Sequence, residues 1–214
     1  EAARYLAEDI KGRGNHLSTG FLGTIYLCHV LSDNGYTDVA YDLLMQQSYP
    51  SWLYPVKMGA TTIWERWDGQ KPDSTFQDAG MNSFNHYAYG AIGDWMYRVS
   101  AGIEARKPGY KEILIQPQIT KKLDYSKASF ESMYGTISSG WERKDGKIIL
   151  RVSIPANTRA VIMLPAEDVS KATQNGMPVV IDKNDAITAT AADGSRKIIG
   201  FTRGSGDYIF EYSE

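Results

Sequence analysis

Among 214 residues there is a single cysteine, Cys28, which excludes an internal disulfide and, alone, a cysteine-based zinc site. The three histidines, His16, His29 and His86, are scattered along the chain, so no metal is expected. Neither sign of charge is in excess: 23 basic and 25 acidic side chains leave a net charge of −2, which argues against nucleic acid as a partner. No run of about 18 apolar residues occurs, so no membrane span is expected within these residues. Phosphate-cradling glycine loops, nucleophile elbows and EF-hand loops are also missing, and no cofactor is expected. The chain opens without an initiator Met or a basic-then-apolar leader, and Glu1 to Leu6 already reads as the inside of a helix. It is therefore expected to be a piece of a longer protein.

What is present is ordinary globular composition, 43% apolar and 22% charged, in a length that admits one large domain or two small ones. The surplus is aromatic. Fourteen Tyr, six Phe and five Trp make up 12% of the chain, more than a modest core requires, and sugar-binding surfaces are one destination for such a surplus.

Two periodicities divide the chain. Up to about Gly102 the apolar spacing is helical: Ala3, Leu6 and Ile10 in a first helix, and Phe21 to Leu31 in a second that stops at Asn34-Gly35. A third helix carries Val39, Ala40, Leu43 and Leu44, with Thr37 as its cap and Tyr49-Pro50 beyond it, and a fourth is expected from Asn82 or Ser83 through Val99. Between the last two lies Ser51 to Gly80, a long stretch with little periodicity but rich in Trp, which suggests an ordered, functional loop.

Beyond Pro108-Gly109 the pattern becomes short alternating runs: 113–116, 135–141, 147–154, 159–164, 178–181, 196–201 and 207–212. Asp145-Gly146, Asn175-Gly176 and Asp193-Gly194 separate some of them as hairpin turns, and the small-residue stretch 188–195 reads as a surface hairpin tip. Seven or eight strands over roughly 100 residues predict an antiparallel β-sandwich. The expected domains are residues 1–107, helical, and 108–214, β.

Chemistry concentrates at two places. Thr61-Thr62-Ile63-Trp64-Glu65-Arg66-Trp67-Asp68-Gly69 sets a carboxylate between two indoles with a second acid three residues on, and Glu65 and Asp68 are the best acid/base candidates in the chain. An aromatic wall raises a carboxylate's pKa and a neighbouring Arg66 lowers it. The competing reading makes Trp64 and Trp67 loop anchors and Glu65, Arg66 and Asp68 a solvated ion cluster. In Asn82-Ser83-Phe84-Asn85-His86-Tyr87, His86 falls at the start of the expected fourth helix, where it can donate to a sugar hydroxyl or serve as a satisfied structural histidine. His29, on an apolar helix face, reads as core.

Thr19-Gly20-Phe21-Leu22-Gly23-Thr24, Asn34-Gly35-Tyr36, Tyr49-Pro50-Ser51-Trp52, Gly59 to Asp68 and Met81 to Tyr87 stand in an order and spacing that resembles bacterial α-L-rhamnosidases of glycoside hydrolase family 78. The resemblance continues through Ile113 to Pro117, Ala128 to Gly135 and Ile154 to Thr158, and so covers essentially the whole chain. It implies the last helices of an α/α toroid, the six-hairpin glycosidase fold, followed by an antiparallel β-sandwich. It also implies an inverting enzyme that removes terminal rhamnose from glycans or glycosides.

In that frame Glu65 is the general base, His86 lines the rhamnose subsite, Trp64 and Trp67 are site-wall residues, and Arg66 and Asp68 support them. The family's general acid lies on earlier toroid helices and nothing here matches it, so residues 1–214 alone are expected to be inactive. The implied partners are a rhamnose-containing carbohydrate, the remainder of the same enzyme chain and, for the isolated chain, other copies of itself. Bacterial periplasm and cytoplasm both fit. Two alternatives stand beside this reading. One is a six-hairpin glycosidase of different sugar specificity. The other is a non-catalytic carbohydrate-binding sandwich with a helical appendage, for which Tyr125, Phe130, Tyr134 and Trp141 are the available aromatic row, although these residues are expected to pack on the helical domain.

Overall fold

Helical spacing in the first half becomes helix where one stripe can be buried. In the computed structural model, which describes residues 1–165, 169–182, 186–190 and 197–213, α1 (Ala2–Gly12) buries Ala7 and Ile10 and pairs Arg4 with Glu8 across one turn at 2.7 Å. Helix α2 (Phe21–Asp33) buries Thr24, Leu27, Cys28, Leu31 and Ser32. It ends in a Schellman motif: Gly35 takes φ +83, its amide donates to Ser32 O at 3.3 Å, and the Tyr36 amide donates to Leu31 O at 2.8 Å. Because this turn runs directly into α3 (Thr37–Met45), Tyr36 occupies the N-cap position and Thr37 is already helical, one residue away from its expected capping place.

The long loop holds a short helix that periodicity did not mark, α4 (Leu53–Lys57). Its Pro55 sits in the first turn, where a missing amide costs little, and Ser51 Oγ accepts the Tyr54 amide at 3.1 Å. The expected fourth helix is corrected most. It begins at Tyr87 rather than Asn82 or Ser83, as a 3₁₀ turn (Tyr87–Ala91), continues as the single turn α5 (Ile92–Trp95) and widens into a π turn over Met96–Ser100. Residues 82–86 are instead irregular, held by hydrogen bonds to the loop that precedes them. Trp95, fully buried, donates Nε1–H to Ser32 Oγ at 2.9 Å and meets Tyr41 edge-on at 4.9 Å.

The described residues fall into two compact units, Glu1–Trp95 and Met96–Glu214. The strands of the second are β1 (Ile103–Ala105), β2 (Glu112–Ile115), β3 (Tyr125–Ser132), β4 (Gly135–Lys144), β5 (Lys147–Ile154), β6 (Arg159–Leu164), β7 (Thr173–Gln174), β8 (Met177–Pro178), β9 (Ile187–Thr190), β10 (Lys197–Arg203) and β11 (Gly206–Tyr212). Because β1 pairs with β2, the sandwich begins ahead of residue 108. One sheet runs β1-β2-β6-β10-β9 and the other β3-β4-β5-β11-β7-β8. All described pairings are antiparallel except β2 with β6, which run parallel with Glu112 beside Arg159.

Both sheets send alternate side chains into one core. Ile113, Ile115, Ile162, Leu164 and Phe201 come from the first, and Ile137, Trp141, Leu150, Val152 and Phe210 from the second. Asp145-Gly146 and Asn175-Gly176 carry positive φ at both residues (+52 and +74, +50 and +80), the requirement of a type I′ hairpin turn. The expected Asp193-Gly194 turn lies outside the described residues, as does most of the stretch 188–195.

Gly102, at φ +80, has to be glycine for a second reason: a Cβ there would lie 2.2 Å from Pro117 N. The proposed aromatic row does not form. Trp141 is 1% exposed in the sandwich core, with Nε1–H donating to Ser100 O at 2.9 Å, and Phe130 packs on that core beside Tyr110 at 4.6 Å. Tyr125 stays exposed, so these rings do not share one platform. Among the described residues no helix is long and apolar enough to cross a membrane.

Candidate functional site

Two irregular segments of the helical unit, 62–65 and 83–86, clasp each other through their backbones. The Glu65 amide donates to Ser83 O at 2.9 Å, and the His86 amide donates to Ile63 O at 2.8 Å. Thr62 Oγ1 donates to Phe84 O. The Glu65 carboxylate joins the same pairing, since its Oε2 accepts the Ser83 amide at 2.7 Å. Glu65 is thus fixed at both its main chain and its side chain by one residue, and the clasp brings it into the same substructure as His86. It holds residues 83–86 out of helical geometry, and His86 itself is extended, with φ −135 and ψ 111. This is why the helix expected to start there does not, and His86 has no α-helix N-terminus beneath it.

Aromatic rings build the surroundings. His86 stacks on Phe21 at 4.7 Å and 14°, and the Tyr87 ring lies nearly parallel to it at 6.1 Å. Trp64 is buried and meets Phe84 edge-on at 5.1 Å. Trp67 stacks on Tyr89 at 3.7 Å and meets Trp52 edge-on at 5.6 Å, while Trp52 donates Nε1–H to Tyr89 O at 2.9 Å. Gly69 allows the closest approach of this wall: a Cβ there would lie 3.0 Å from Asn82 Oδ1 and 3.2 Å from Trp64.

The second acid is employed differently from Glu65. Asp68 Oδ1 accepts from Arg66 Nε at 3.3 Å and Oδ2 accepts from Gln77 Nε2, so both oxygens are held in a local network. Burial pushes the Tyr49 and Tyr54 phenols upward, and the negative Asp68 adds to this, so both stay neutral across the working pH range. Burial likewise pushes Cys28 up to about 12, leaving it an inert core thiol.

The three histidines separate clearly. His16 is satisfied on both nitrogens, by Arg13 O at 3.0 Å and Ser48 Oγ at 2.8 Å, and His29 Nε2 meets Asp94 Oδ2 at 2.9 Å at the edge of the core. His86 Nδ1 is buried and has no hydrogen-bond partner among the described residues. A structural histidine is ordinarily satisfied, and this one is not. Among the described residues no group of three or more His, Cys, Asp or Glu side chains is assembled to hold a metal.

Residues 1–99 match the family model of the bacterial α-L-rhamnosidase six-hairpin glycosidase domain, and residues 102–177 match that of the bacterial α-L-rhamnosidase C-terminal domain. The chain belongs to the bacterial α-L-rhamnosidases. An α-L-rhamnosidase of Streptomyces avermitilis is 48% identical over 166 residues, 78% of this chain and 16% of its own length. One of Formosa agariphila is 45% identical over 167 residues, 78% of this chain and 18% of its own. The crystal structure of the Streptomyces avermitilis α-L-rhamnosidase complexed with L-rhamnose superposes with a TM-score of 0.86 at 41% identity, covering 99% of this chain and 19% of that one. The chain therefore spans about a fifth or less of these α-L-rhamnosidases, and the region it shares with them is the end of the six-hairpin domain followed by β-sheets.

Several members of the site were not singled out from the sequence. Ser83, whose amide holds the carboxylate, and Thr62, Trp52, Phe21 and Tyr89 all lie within motifs that were noticed, but a backbone donor has no side-chain signature. Phe21 and Tyr89 looked like ordinary helix-face residues until the loop folded against them.

Proposed function

We propose that this chain is the C-terminal portion of an α-L-rhamnosidase that hydrolyses terminal α-L-rhamnose from glycans or glycosides with inversion. Glu65 is the general base in this reading, taking a proton from the water that attacks the anomeric carbon. His86, Trp64 and Trp67 bound the sugar subsite, with Arg66 and Asp68 supporting the loop. The observation that carries the reading is the clasp: Glu65 Oε2 rests on the Ser83 amide at 2.7 Å, next in sequence to Trp64 and Phe84, whose rings meet edge-on. A surface ion cluster needs no such fixation, and here Asp68, not Glu65, is the acid that pairs with Arg66. The relatives' name and the L-rhamnose complex of one of them supply the sugar.

An inverting pair stands about 6.5 to 9.5 Å apart, with the water between base and sugar. The second carboxyl of this pair is assigned to the part of the enzyme outside residues 1–214. The full-length protein should release nitrophenol from a nitrophenyl α-L-rhamnoside far faster than from glucosides, and the first product seen by proton NMR should be β-L-rhamnose. Accumulation of the α-anomer first would overturn inversion. Preference for another glycoside would overturn the sugar.

His86→Ala in that protein should weaken rhamnose binding more than it slows the chemistry, because a hydrogen bond to a hydroxyl exists in both ground and transition states. The expected loss is about 1 to 3 kcal/mol where the hydroxyl is left facing a dry wall. Unchanged product inhibition by rhamnose would remove His86 from the subsite.

A further inference from the structure

The sandwich carries an open cavity of about 300 Å³ lined by the polar and charged residues Lys107, Lys111, Glu112, Asn157, Thr158 and Arg159, largely through their carbon stems. Its volume is at the small end of ligand pockets, enough for one sugar unit rather than a chain. Charge is concentrated there in one sense. Glu112 is the single carboxylate, nearly buried at 8% side-chain exposure, and it is already saturated. Arg159 grips its Oε2 through Nη2 at 2.5 Å and Nε at 2.7 Å, Arg106 reaches Oε1 at 3.2 Å, and Lys107 stands 3.9 Å away. The Arg159 bond holds the Glu112 carboxyl below the usual carboxylate range, so it stays ionised and keeps the arginine fork oriented.

Lys111, from the other side, donates to Asn157 O and lies 5.0 Å over the Tyr134 ring. Glu112 thus meets three cations, while Lys111 bonds to a carbonyl instead, so three positive side chains of the lining, Lys107, Lys111 and Arg159, stand around one negative one beside Asn157. A multiply charged phosphate would meet Glu112 as well as the cations, so a singly charged ligand suits the balance better.

We propose that this cavity is a second ligand site that takes the carboxylate of an acidic sugar, with Lys107 and Lys111 meeting the carboxylate and Asn157 the ring hydroxyls. The site is independent of the role given to Glu65. Substrates or products bearing a uronic acid would be held there by the sandwich itself.

The test is a saturation-transfer titration of the full-length protein with D-glucuronate and with D-glucose, which carries a hydroxymethyl group in place of the carboxylate, in the presence of saturating rhamnose to fill the first site. Glucuronate should bind and glucose should not. Lys107→Gln with Lys111→Gln should weaken glucuronate about fivefold to twentyfold while leaving rhamnose affinity unchanged. Both lysines are exposed and Glu112 keeps its two arginines in this variant, so folding should be preserved. Equal signals from glucose and glucuronate, or undiminished glucuronate binding in the double variant, would overturn the site. Displacement of glucuronate by an equal concentration of inorganic sulfate would overturn the acidic-sugar assignment, since it would mean anion capture without recognition of the ring.

Discussion

Glu65→Gln in the full-length protein is expected to abolish nearly all turnover while leaving affinity for rhamnose largely intact. The amide is the same size and its oxygen can still accept the Ser83 amide that now rests on Oε2, so the clasp between 62–65 and 83–86 survives. What disappears is the ability to take a proton from water, worth roughly 10² to 10⁴ in rate. Glu65→Ala would confound this loss with a collapse of the clasp, which is why the amide is the informative change. The check is kcat for a nitrophenyl rhamnoside beside a direct titration with rhamnose. A variant that keeps about a third of the parent rate has lost far less than a general base supplies, and would return Glu65 to the role of a loop anchor.

Residues 1–214 on their own are expected to show no rhamnosidase turnover and to self-associate. The first expectation follows from the division of labour proposed above: the proton for the leaving oxygen comes from a carboxyl outside these residues, and without it the base alone cannot complete an inverting step. The second follows from α2. Its buried residues hold one side of the helix, yet Leu22, Ile25, Tyr26 and Val30 lie on another and are exposed, Leu22 by 82% and Tyr26 by 66%. A helix apolar all round is made to be covered on every side. With Tyr5 also exposed, this face gives a second copy somewhere to dock. Nitrophenol release and mass by light scattering would test the two expectations separately. Robust turnover by a monomer would show that the half-site reading is wrong, and a monomer without turnover would leave the chemistry standing and remove the self-association.

The sequence carried the larger features because they depend on local rules. The second and third helices, the stop at Asn34-Gly35 and the two type I′ turns need only a period, a glycine and a residue tolerant of positive φ. Strand β3 escaped notice because Tyr-Ser-Lys-Ala-Ser-Phe-Glu-Ser has little apolar alternation. It lies at the edge of its sheet, where one face stays in water and the other is only partly covered. The parallel pairing of β2 with β6 was equally invisible, since neither segment's own pattern names its neighbour.

The motifs around Glu65 and His86 were legible as a cluster of chemistry-bearing residues, and the order and spacing of those motifs were enough to place the chain in its family. Tertiary structure alone decided how the cluster is held. The helix drawn through Asn82 and Ser83 has the right apolar spacing, but backbone groups of Ser83, Phe84 and His86 are claimed by 62–65, and a group bonded there is not free for a helix. That competition separates Glu65, resting on a backbone amide, from Asp68, held by Arg66 and Gln77. Composition gave no preference between the two acids, because the distinction lies in which hydrogen bonds form: Glu65 is held from 18 residues away, Asp68 from two and nine. The gathering of Lys107, Lys111, Glu112 and Arg159 is of the same kind: four unremarkable charges in sequence, brought around one cavity only when β2 and β6 lie side by side in register.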